Sequence, residues 1–180
     1  GFNTVTGGTG SDSITANLGA NSIDAGAGDD TFSLVGGTNS ITGGSGADSI
    51  TVSGGTNWVL GGADNDTLTL DGGINTVNAQ AGSDTLILTA GQNSVDGGDG
   101  DDTLTVTGGT NTVTGGSGAD TITAGGGINF IDGGAGNDSL TATFDSITIA
   151  GGEGNDFIAV AQGTTNAVVG DDSIDGGAGN

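Results

Sequence analysis

Nine acidic segments start 18 residues apart without a slip, from GGTGSDSI at 7–14, AGAGDDTF at 25–32 and GGSGADSI at 43–50 to GGAGNDSL at 133–140 and GGEGNDFI at 151–158. A constant period of this size describes one small unit stacked on copies of itself, each burying its apolar face against its neighbours. Midway between the acidic segments lie Asn21, Asn39, Asn57, Asn75, Asn93, Asn111 and Asn129. Asp-bearing and Asn-bearing halves therefore alternate every nine residues. One structural period comprises both.

Within each half, Gly-rich punctuation precedes a short run of alternating hydroxylated and aliphatic residues, as in DTLTV at 102–106. That pattern predicts a turn followed by a strand with one buried face. Leu104 with Val106, and Ile50 with Val52, are the expected inward pairs of the acidic halves. Each Asn half is expected to turn one aliphatic residue inward, such as Val113 or Ile41, before Gly resumes. Two strands of three to five residues and two tight turns make a flattened coil. Stacked at about 4.8 Å, the coils form two small parallel sheets over a thin aliphatic core.

The register of this repeat excludes the reading that composition alone would favour. With 42 Gly in 180 residues and a formal charge of -22, the chain resembles a disordered polymer. Disordered chains, however, have no reason to keep Ile, Leu, Val and Thr in fixed columns. The absence of Lys and Arg excludes a nucleic-acid partner, which needs cationic contacts to phosphate. No apolar run approaches membrane-spanning length, so membrane insertion is not expected. With neither an initiator Met nor a signal peptide, the sequence reads as an excerpt of a longer chain, a secreted one on the family resemblance below.

Stacking places the sixth residue of every acidic unit above its equivalent in the coil below. Asp12, Asp30, Asp48, Asp66, Asp84, Asp102, Asp120, Asp138 and Asp156 then form one file, spaced by about 5 Å. Two such charges repel by about 0.8 kcal/mol in water and about 3 kcal/mol at an effective dielectric of 20. A roll built this way requires counter-ions. Carboxylates and glycine-loop carbonyls supply hard oxygen ligands suited to Ca²⁺, whereas zinc and copper favour the His and Cys that this chain lacks.

The acidic unit resembles GGxGxDxUx, with U a large aliphatic residue, which is the signature of the RTX (repeats-in-toxin) calcium-binding family. Seven of the nine units keep its first two Gly. The resemblance implies an all-β, right-handed parallel β-roll of about ten coils. It also implies Ca²⁺ between the loops of adjacent coils, up to about eight ions in all. Weaker sites are expected between residues 61 and 86, where Asp64 replaces a Gly and Ala79-Gln80 replace a Gly pair. Asp29, Asp99, Asp101 and Glu153 are expected to be outer-loop charges. The Asn file is expected to be a neutral amide ladder.

Regular repeats are expected over 1–159, with irregular or register-shifted coils of the same solenoid over 160–180. The unit at 141–150 loses its Asn and Gly, and the period slips by seven residues around 160–172. Trp58 and Phe130 occupy outward positions otherwise filled by Ser or Thr, the only hints of a partner surface. Without His, Lys, Cys, Arg or Tyr, catalysis is not expected. The function expected is a calcium-dependent structural segment of a secreted bacterial surface protein, in a surface layer, filament or large adhesin, with self-association or flanking domains as further partners. Alternatives are the secretion and folding domain of a type I-secreted toxin or hydrolase, and an adhesin module for ice or carbohydrate.

Overall fold

The computed structural model describes residues 1–143, 146–161 and 173–175, and all its regular elements are β-strands. Eight-residue strands, beginning with Phe2–Thr9, Ala20–Ala27 and Thr38–Ser45, alternate with five-residue strands, beginning with Ser13–Asn17, Thr31–Val35 and Ser49–Ser53. Among the described residues, the nine long strands and the three-residue Ser173–Asp175 form one parallel sheet of ten, and the nine short strands form a second. Each strand pairs with its equivalent one coil away, as in Asn93 with Asn111 and Leu86 with Leu104. The expected β-roll is the observed fold.

Alternation explains the short strands. In Thr103–Thr107 the β-branched Thr side chains face out, while Leu104 and Val106 are fully buried in one continuous aliphatic core. The long strands depart from expectation. They run on through the Gly pair and turn three residues inward rather than one, as with Asn111, Val113 and Gly115 in Thr110–Ser117. Glycine fits here because a Cβ on Gly115 would meet Asp120 Oδ2 and the Gly133 carbonyl oxygen of the adjacent coil.

The return from short to long strand is a two-residue turn with both residues at positive φ, for example Gly108 at 70° and Gly109 at 80°. A Cβ on Gly109 would collide with the Gly91 carbonyl of the adjacent coil, which leaves glycine as the fitting residue. The first turn residue has more room, and Leu18 and Ala90 occupy it at φ 51° and 57°.

Where the sequence loses its pattern the coil persists. Ile147 takes the Asn column in the strand Ser146–Glu153, which pairs in normal register with Ile128–Ala135. The strand Ser173–Asp175 then pairs with Thr148–Ala150 at an offset of 25 residues (173 − 148), seven more than the period. Most of the slipped segment at 160–172 lies outside the described residues.

Candidate metal-binding edge

The two turns of each coil lie at opposite edges of the roll, and each edge carries its own polar file. Beside the Gly-Gly turns, Asn side chains, buried from Asn21 onward, form a continuous ladder: Asn3 donates through Nδ2 to Oδ1 of Asn21, and the pattern repeats to Asn129 at 2.7–2.8 Å. From Asn39 onward the second amide hydrogen donates to a turn carbonyl three residues earlier, such as Gly108 from Asn111 at 2.9 Å. From Asn39 to Asn111 both donors are used, and the ladder carries no charge. The neutral ladder expected from sequence is what the amides build.

At the other edge, all nine Asp residues of the predicted file are brought together. Asp30 through Asp138 are buried, and Asp12 and Asp156, at the ends, are half-buried. Each Oδ1 from Asp30 onward accepts the backbone N–H of the Asp one coil earlier, at 2.6–3.0 Å. Each Oδ2, by contrast, is buried without a hydrogen-bond partner, in all nine residues from Asp12 to Asp156. A buried carboxylate oxygen left unpaired is costly, and nine of them stand in one file.

The electrostatics follow. Burial pushes the carboxyls of Asp48, Asp84 and Asp138 above the ordinary 3.8, those of Asp66 and Asp102 up to about 7, and that of Asp120 to about 6. The accepted N–H pulls each one down, and for most of them the next carboxylate in the file adds to the rise.

In the seven units that begin with glycine, Oδ2 points at that glycine. A Cβ on Gly43 would run into Asp48 Oδ2 and the Gly61 carbonyl oxygen, and one on Gly97 into Asp102 Oδ2 and the Gly115 carbonyl. Carboxylate and carbonyl oxygens thus converge on a space that glycine keeps open. Among the described residues no group of three carboxylates is placed to hold one metal ion, so backbone oxygens would complete the shell of a hard cation. Residues of this type fit Ca²⁺.

This first-glycine column escaped sequence reasoning, and so did one of its two exceptions, Ala25. Ala25 and Ala79, both fully buried, place a methyl in the space that glycine leaves elsewhere. Only the second was flagged, as part of the 61–86 departures. Asp64 and Gln80 keep the positive φ of the glycines they replace, 77° and 82°, so the loop path survives there. Of the outer acids, Asp29 and Asp101 are exposed and accept the N–H of Ala47 and Ala119 one coil on. Asp99 accepts from Ser117 Oγ, and Glu153 is exposed.

The model of the RTX calcium-binding nonapeptide repeat (4 copies) matches residues 1–32, 35–68, 69–104, 105–140, 148–164 and 169–180. The chain belongs to the RTX calcium-binding repeat family. No curated protein matches it. Calcium binding is thus a property of the repeat that fills this chain, and the RTX roll is a structural calcium-binding unit rather than a catalytic fold.

Proposed function

We propose that this RTX roll is a calcium-dependent structural rod of a secreted bacterial cell-surface protein, in a surface layer, filament or large adhesin. In this reading, Asp12, Asp30, Asp48, Asp66, Asp84, Asp102, Asp120, Asp138 and Asp156 each supply Oδ2 to an ion shared between adjacent coils, up to about eight ions in all. The observation that carries the reading is the file of nine buried Oδ2 atoms without hydrogen-bond partners. The cation neutralises the file and joins one coil to the next, so folding and metal binding become one event.

The secreted setting in this reading suits weak oxygen sites, because free calcium outside the cell is high enough to load them. Outer strand faces rich in Thr and Ser fit a rod standing in solvent. Isothermal titration of chelator-treated chain with CaCl₂ should give about eight ions per chain, with circular dichroism gaining β signal over the same range. Binding of one or two ions, or β content already complete in chelator, would sink the ladder. The surface role is tested separately, by labelling intact cells of the source bacterium with antibody against the rod. Labelling that requires permeabilised cells counts against it.

A further inference from the structure

The outer face of the long-strand sheet carries exposed aromatic side chains, away from the Asp edge. Trp58, 60% exposed, stands in a column where its strand neighbours are Ser40 and Thr76. Beside it a groove of about 300 Å³ runs along the rod across the strands that carry Thr76, Ser94 and Thr112, with Asn78 and Asp96 in the adjoining column. Phe130, 48% exposed, pairs with Thr112 on the next strand. Trp58 and Phe130 are thus four coils apart, about 19 Å, with a hydroxylated floor between them.

The geometry points to a binding groove for a linear, neutral oligosaccharide, with Trp58 and Phe130 as stacking platforms and Asn78 and Asp96 as its polar anchors. Each part of that chemistry is present. Exposed aromatic faces take up the C–H faces of sugar rings, and a floor of hydroxyl, amide and carboxylate groups matches a polyhydroxylated chain. Asn78 donates to Asp96 Oδ2 at 3.2 Å, which ties the two polar side chains of the groove together. Burial raises the Asp96 carboxyl above its ordinary value, in keeping with a sheltered groove.

Charge narrows the occupant. A chain without Lys, Arg or His offers nothing to a uronate, sulfate or phosphate, so acidic glycans are disfavoured. A second copy of the same face would bring Asp96 and Asp132 against identical acids with no cation between them, and an apolar ligand would strand the hydroxyl floor.

Trp58 is the only tryptophan, so its emission reports on this groove directly. The full chain, folded in CaCl₂ and checked by circular dichroism, is titrated with linear hexasaccharides of glucose, mannose, galactose and N-acetylglucosamine, and with oligogalacturonate. At least one neutral series should shift Trp58 emission saturably, and disaccharides should bind less tightly than hexasaccharides. Asp96→Asn should weaken that binding about tenfold by loss of a charged acceptor. Phe130→Ala should weaken it about threefold to tenfold by loss of stacking. Ser94→Phe should abolish it by filling the groove, and Thr105→Ala on the opposite sheet should leave it unchanged. No saturable shift with any neutral series, equal binding of oligogalacturonate, or binding that survives Ser94→Phe each overturns the site. A concentration-dependent shift without sugar assigns the face to a second copy and overturns it as well.

Discussion

Ala25 and Ala79 are buried and carry a methyl in the column where a Cβ on the glycines at 43, 61, 97, 115 and 133 would run into the Asp Oδ2 of the same unit. These first-position glycines are not held at positive φ, so alanine is tolerated there by the backbone and its effect is steric. If Oδ2 is the calcium ligand, the two alanine coils hold calcium less tightly than their neighbours. Gly97→Ala should leave the roll folded and lower affinity at the Asp102 position about tenfold, the range expected for one misfitting methyl. Ala79→Gly should do the reverse at Asp84. Titration calorimetry of both variants decides it, and an unchanged isotherm in each would remove Oδ2 from the ligand set.

Among the elements, the long strand is where the amide ladder and the core meet. Asn75 accepts from Asn57 and donates to both Asn93 and the Gly72 carbonyl, all in a buried setting. Asn75→Ala would strand one donor and two acceptors, at about 1–3 kcal/mol for each group left unpaired, so a loss of about 3 kcal/mol or more is expected. Thr76→Ala, one residue on and facing solvent, should change stability by no more than about 0.5 kcal/mol. Urea midpoints in saturating calcium measure both. The sequence made this ladder legible because Asn recurs at one column, and the short strands equally so because Thr and aliphatic residues alternate in DTLTV. The full length of the long strands was hidden. Gly97 and Gly98 read as a turn from their type, and only the close packing of adjacent coils makes an extended strand of them. For the same reason the Asp file was legible as a column, but the inward aim of Oδ2 and the enclosing glycine were not, since both depend on backbone approach across coils 18 residues apart.

For the whole molecule, 22 acids without a single base make metal and protons rivals for one edge. Burial holds the Asp66 and Asp102 carboxyls near 7 and that of Asp120 near 6, against an ordinary 3.8 in the unfolded chain. The metal-free roll therefore takes up protons on folding. This contribution to stability is fully present below about pH 4 and is lost as pH rises through 6 and 7. In chelator, β signal in circular dichroism should be strongest at pH 5 and fall steadily towards pH 8, with light scattering used to exclude association near the pI of about 4.1. Calcium reverses the order, because it needs the ionised file: the calcium concentration at half-folding should rise as pH drops from 8 to 5. A chain whose chelated form gained β structure as pH rose would show that the buried carboxylates are not what keeps the empty roll open.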